Sequence, residues 1–292
     1  MVTQAPPPCG GRLAPAPFVL SALGPYTAGA LLASASGFPR RWGVFLFGLV
    51  GVAALVKTAF AAREAFAADW GRCPSWPILP PADIRRLAYV CLAVAAAMGI
   101  ILQFICRTGD LTIPLGGLGA LGGYFYFAPP LQWGRRGLGE IFGALCFGLL
   151  PVAARLYLQC GHLLTEVLLY GLPLTFAGFN LFLIYGFPGP QETAGAGFGL
   201  AYRLGPVAGA LVFTIFNVLT ILGLLAILLF PASALPWRAA LWPLLLLAVV
   251  NQELVKRKSY LEEVRLQRLG RLTLALHLGL GWVFVLMLWQ RL

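Results

Sequence analysis

Acidic residues are scarce in this chain: ten Asp and Glu stand against 21 Lys and Arg in 292 residues, for a net charge of +11. Charged residues of both signs together make up only 11% of the sequence, too few for the surface of a soluble domain of this size. Outside the loops discussed below, no Asp-x-x-Asp or Glu-x-x-Glu cluster is available, and the adjacent pair Glu262 and Glu263 follows a basic run. His162 and His277 are the only two histidines, too few and too far apart to hold a haem between facing helices. The six cysteines (Cys9, Cys73, Cys91, Cys106, Cys146 and Cys160) contain no Cys-x-x-Cys pair, so their spacing suggests neither a disulfide framework nor a thiolate metal site. The opening "MVTQAPPPCGGRLAPAPF" lacks a basic region followed by a short apolar core and a cleavage site. The first hydrophobic segment is therefore expected to stay in the chain.

Hydrophobic residues are abundant instead, at 60% of the chain with a mean hydropathy of +0.84. That combination marks an integral membrane protein. Nine apolar windows, each about 17–25 residues long as a hydrocarbon core of about 30 Å requires, are centred near Leu23, Leu49, Val94, Leu118, Phe147, Thr175, Ile215, Leu246 and Trp282. All nine are expected to be helices, because backbone groups in lipid must be hydrogen-bonded within their own segment. The expected fold is therefore all-α and polytopic. The window around Leu118 is short and glycine-rich ("PLGGLGALGGYFYF") and is expected to pack closely against its neighbours rather than face lipid.

The cations argue against a nucleic-acid partner because they lie in the loops. With the N-terminus cytoplasmic, 15 of the 21 Lys and Arg fall near cytoplasmic ends; the other six are Arg40, Arg41, Arg107, Arg155, Arg238 and Arg291. This asymmetry follows the positive-inside rule. The expected topology has a cytoplasmic tail at 1–16, a transmembrane domain at 17–292 and the C-terminus on the opposite side, in a prokaryotic cytoplasmic membrane.

Four segments interrupt the apolar pattern. "KTAFAAREAFAADWGRCPSWPILPPADIRRL" joins the second and third windows, and its prolines end any helical continuation. "GGYFYFAPPLQWGRRGLGE", from Gly122 to Glu140, packs aromatics, two prolines, two arginines and one glutamate between apolar stretches. "FNLFLIYGFPGPQETAGAGFGLAYRLG" follows the sixth window, where Pro188 and Pro190 must break or kink the helix. "NQELVKRKSYLEEVRLQRLGR" is charged and amphipathic, and reads as a topogenic basic flank or a segment in the headgroup region.

The run from Gly122 to Gly148, "GGYFYFAPPLQWGRRGLGEIFGALCFG", resembles the pattern after the fourth helix of UbiA-type intramembrane prenyltransferases. It is most similar to the branch that prenylates 1,4-dihydroxy-2-naphthoate on the way to menaquinone. Tyr126, Pro129, Gly139, Glu140 and Gly148 match that pattern. "ALGPYTAGALLASA", "LPPADIRRLAYVCLAVAAAMGIIL", and "GFNLFLIYG" with "GLAYRLG" resemble other parts of the family in the same order, so the likeness covers roughly residues 15–290. The resemblance implies a helical bundle around a lipid-facing cavity. It also implies contacts to an isoprenoid or quinone-like lipid from Lys57, Tyr126, Arg135, Arg136, Glu140, Asn180 and Arg203.

The same resemblance implies two acidic motifs, after the second and sixth helices, that hold Mg²⁺ on an allylic diphosphate while an aromatic acceptor attacks. Here the first motif reads "AFAAREAFAADWG" and retains Glu64 and Asp69, whose spacing puts them on different helix faces. The second retains Asn180, but Phe187 or Pro188 stands at the first acid and Gln191 or Glu192 at the second. Magnesium demands near-octahedral oxygen geometry, so ordinary metal-dependent transfer is expected to be lost, with no cofactor required. The chain then reads as a binder of an isoprenoid or quinone, with membrane lipid and other membrane subunits as partners. Phe60, Phe66, Tyr124, Phe125, Tyr126, Phe127, Phe179 and Tyr185 would line or approach the cavity. The competing reading is an active, divergent prenyltransferase in which Glu64, Asp69 and Glu192 hold a cation while Lys57, Arg63, Arg135, Arg136 and Arg203 bind diphosphate directly. A third, a transporter, would need ionisable residues within the spans, and only Arg155 and Glu166 come close. Glu140 reads either as a ligand contact or as structural, favoured at its helix's positive end or paired with Arg135 or Arg136.

Overall fold

The computed structural model describes residues 15–66, 80–187, 199–229 and 238–291. Every regular element among them is helical: α1 (Pro15–Ala35), α2 (Trp42–Ala65), α3 (Pro81–Ile100), α4 (Thr112–Tyr124), α5 (Trp133–Arg136), α6 (Gly139–Phe147), α7 (Leu149–Cys160), α8 (Glu166–Tyr185), α9 (Leu200–Leu204), α10 (Pro206–Leu229), α11 (Leu241–Lys256) and α12 (Glu263–Trp289). A π-turn at Ile101–Ile105 extends α3, and single 3₁₀ turns at Arg238–Ala240 and Ser259–Leu261 flank α11.

Seven of these helical stretches are long and apolar enough to cross a bilayer, and α6 with α7 forms an eighth candidate bent by 40°. The window around Leu118 corresponds to α4, whose 13 residues rise only about 20 Å, short of a hydrocarbon core. Among the described residues the nine expected windows therefore appear as seven long helices, one broken pair and the short α4, and nine full-length spans are not all seen. Proline sets several boundaries. Pro81 and Pro206 open their helices, where a missing N–H costs nothing and the fixed φ suits the first turn.

The break between α6 and α7 has a local cause. Gly148 adopts φ −115° and ψ −98°, and a side chain there would meet the backbone of Thr175 in α8 at 2.5 Å. The amide of Leu149, freed by the bend, donates to the Thr175 hydroxyl at 2.9 Å. The kinked chain thus stays hydrogen-bonded at membrane depth.

α1 and α8 are the most deeply buried spans, while α3 buries little of its surface. Leu87, Val90, Val94 and Ile100 point outward from α3, as a lipid-contacting helix allows. The largest core cluster joins α1, α7, α8, α10, α11 and α12 through side chains such as Leu32, Leu156, Leu174, Leu224, Leu241 and Phe284. Between α10 and α11 the contact is also polar: Asn217 donates to the Ala248 carbonyl at 2.9 Å and to Gln252 at 3.1 Å. Gln252 in turn reaches Thr214 at 3.1 Å. The charged stretch after α11 folds as a tight helix–turn–helix around Lys258, with exposed ion pairs from Arg257 to Glu253 at 2.8 Å and from Arg265 to Glu262 at 3.0 Å.

Candidate functional site

The aromatic, proline and arginine segment builds a compact loop at one end of the bundle. The Trp133 and Gly134 amides donate to the Phe125 and Tyr126 carbonyls at 3.0 and 3.1 Å, and Gln132 takes a left-handed conformation that turns the chain back. Trp133 stacks on Phe142 at 4.6 Å. These contacts fold the segment onto the start of α6, and Glu140 enters the protein there with its side chain fully buried.

Glu140 lies in the first turn of α6, where the helix's positive end favours a carboxylate. One of its oxygens accepts the backbone N–H of Leu200 at 2.6 Å, and the other has no hydrogen-bond partner among the described residues. Gly199 donates to the Gly134 carbonyl at 2.9 Å. Gly199 is at φ +95°, and a side chain there would run into the Glu140 carboxylate. Glycine is required at Gly199 on both counts. The Arg203 guanidinium donates to the Arg136 carbonyl, and Arg136 reaches the Pro130 carbonyl at 3.2 Å.

Of the residues named from the sequence, Tyr126, Arg136, Glu140 and Arg203 are therefore brought together. Of the roles open to Glu140, the ion pair with Arg135 or Arg136 does not form. Both arginines are exposed while the carboxylate is buried, and the carboxylate ties down the first residue of α9 instead. Gly199 and Leu200 were not singled out in advance, although the glycine-rich run before "LAYRLG" was the available signal.

Tyr126 is buried and connects this loop to the interior. Its ring lies 5.9 Å from Phe182, which is 5.3 Å from Phe147 and 6.4 Å from Phe18; Phe60 and Tyr185 complete the group around Phe18 at 5.4 and 5.9 Å. On α2, Glu64 is buried, and its carboxylate sits 3.8 Å from the Arg63 guanidinium. Arg63 itself lies within electrostatic reach of Tyr126 and Tyr185. Asn180 on α8 is buried, and its Oδ1 has no partner among the described residues. Lys57 is exposed. Asp69 and Glu192 lie outside the described residues, as do Pro188, Gln191 and the proline-rich stretch before Pro80. Among the described residues no three His, Cys, Asp or Glu side chains gather as a metal ligand set. Glu64 has a cation, Arg63, for its neighbour.

An apolar cavity of about 370 Å³ opens between α2, α3, α4 and α7. Gly51, Gly99, Gly116, Gly117, Ala95 and Leu158 are among its lining residues. None of the aromatics expected at the cavity lines this one. They pack into other clusters instead: Phe60 and Tyr185 against Phe18, and Phe179 stacked on Phe216 at 3.7 Å. The glycine-rich helix α4 also divides differently from expectation. Gly119 and Gly123 approach Leu55 and Ala59 of α2, but a side chain at Gly116 or Gly117 would meet open space.

A kinked, polytopic helical bundle with an apolar interior cavity and a loop clasp at one end defines a membrane protein of the intramembrane type. The solved apo structure of a UbiA homolog from Aeropyrum pernix K1 has a similar fold, with a TM-score of 0.68 over 92% of this chain and 97% of that one, at 14% sequence identity. No protein-family model and no curated protein matches the chain. The structural likeness is one of fold.

Proposed function

We propose that this chain belongs to the UbiA superfamily, near the branch that prenylates 1,4-dihydroxy-2-naphthoate, and that it binds an isoprenoid or quinone-like lipid without Mg²⁺-dependent prenyl transfer. The observation that carries the reading is the environment of Glu64. At the place of the first acidic motif, a buried carboxylate is neutralised by Arg63 at 3.8 Å. A cation there would have to displace or repel a guanidinium held in a low-dielectric interior, which is strongly unfavourable. The cavity of about 370 Å³ supports the lipid half of the reading, since a space walled by aliphatic side chains stays dry and takes apolar ligands. Lys57, just beyond the cavity-lining Leu55, and Asn180 are assigned to the lipid's polar head. Tyr126, Arg136, Glu140 and Arg203 hold the loop at one end of the bundle.

Two measurements on one preparation test this. Organic extraction and native mass spectrometry of the purified protein should find a bound polyprenyl or quinone-like molecule. Washed membranes supplied with a prenyl diphosphate, Mg²⁺ and a naphthoate or hydroxybenzoate acceptor should form no prenylated product above background. Mg²⁺-dependent product that disappears in Glu64→Gln would establish the divergent enzyme instead.

A further inference from the structure

The end of the bundle opposite the Glu140 loop carries a buried positive charge with no counter-charge among the described residues. Arg155, near the C-terminal end of α7, is 2% exposed. One of its terminal nitrogens donates to the Gln159 side-chain oxygen at 2.8 Å. Gln159 is itself held by the Ser34 hydroxyl and the Phe38 carbonyl at 3.2 and 3.4 Å. The guanidinium lies 5.5 Å from the centre of the Phe45 ring and 5.9 Å from that of Tyr26, contacts that orient it through its flat faces. Its Nε and its other terminal nitrogen have no hydrogen-bond partner among the described residues.

These two donors belong to a side chain that lines a pocket of about 200 Å³, shared with Arg40, Arg41, Trp42, Gln159 and Trp289. No acidic residue lines it. Trp42 opens α2 and Trp289 closes α12, and both are well exposed. Tryptophans at helix ends mark the level of the lipid headgroups. Arg155 sits five residues from the end of α7, about 8 Å along that helix.

We propose that this pocket binds the phosphodiester group of a membrane phospholipid, with its acyl chains lying along the apolar wall of α1 and α12. An unpaired guanidinium inside a membrane protein is costly, and its usual resolution is a partner of opposite charge. Here the described lining supplies three arginines and no acid, which suits an anion from outside the chain. A guanidinium fork suits phosphate oxygens, and phospholipid phosphates lie at the depth the tryptophans define. The site is separate from the cavity and the acidic-motif region, and it stands whether or not the chain transfers prenyl groups.

Delipidated protein in neutral detergent is titrated with dioleoyl phosphatidylglycerol, with dioleoylglycerol, which has the same tails but no phosphate, and with sodium phosphate. Thermal stability and native mass spectrometry are the readouts. Phosphatidylglycerol is expected to raise Tm and give a retained adduct while the other two do not. Its affinity should fall about ten-fold in Arg155→Gln and about three-fold in Arg40→Ala, the scale of one charge-assisted hydrogen bond and of one peripheral charge. Equal effects of dioleoylglycerol, or a shift reproduced by phosphate alone, would overturn the assignment. So would wild-type affinity in both variants. Should Arg155→Gln not fold, the three probes on the wild-type protein together with Arg40→Ala, an exposed position, still decide.

Discussion

The Glu140 carboxylate and the Leu200 amide meet at 2.6 Å although 60 residues separate them in sequence. That bond closes the loop made by α5, α6 and α9. Replacing Glu140 by Ala leaves a buried N–H without its acceptor, and stability should drop by about 2 kcal/mol. Glu140→Gln keeps the accepting oxygen and should lose less than half of that. Thermal unfolding in detergent reads the difference; equal losses would show that the charge, not the hydrogen bond, matters.

Gly148 predicts the behaviour of the broken span. A methyl group at this position meets the Thr175 backbone, so Gly148→Ala must push α6 and α8 apart, at about 1–3 kcal/mol. Thr175→Val removes the acceptor of the Leu149 amide and should cost about 1 kcal/mol. Yields of folded protein by fluorescence-detected size exclusion should rank wild type first, Thr175→Val second and Gly148→Ala last.

The cavity makes an opposite kind of prediction. Gly116 lines it, and nothing lies within 4 Å of where a side chain would begin. Gly116→Leu should therefore fill space rather than create strain, leaving Tm essentially unchanged. Co-purified lipid should fall several-fold because the cavity that holds it is occupied. Undiminished lipid in this variant would mean that the ligand sits elsewhere.

The Asn217 side chain bridges α10 and α11 through the Ala248 carbonyl and Gln252. Asn217→Leu should destabilise the pair by about 1 kcal/mol, the usual scale for one interhelical hydrogen bond in a membrane. Hydrogen exchange at the α11 amides is the direct check, with faster exchange expected in the variant.

Much of the frame is legible in the sequence. Each apolar window corresponds to a helix or to the bent α6–α7 pair, because burial in lipid forces a local backbone solution that hydropathy reports directly. The length of α4 was not legible, since "TIPLGGLGALGGY" is as apolar as a full span. Its boundary at Tyr124 comes from the turn that carries Phe125 and Tyr126 back toward α6. Glu140 was legible as a residue of note, but its partner was not. The nearby arginines were the obvious candidates, and the backbone of a distant helix took the position.

The sequence alone determined that this is an all-helical membrane protein and where its apolar segments lie, since hydropathy and the need for local hydrogen bonding act on stretches of contiguous residues. Tertiary structure alone decided the kink at Gly148, the clasp of Glu140 on Leu200 and the burial of Arg155 with no acid beside it among the described residues. Each depends on which helix faces meet, and packing between segments far apart in the chain chooses those faces.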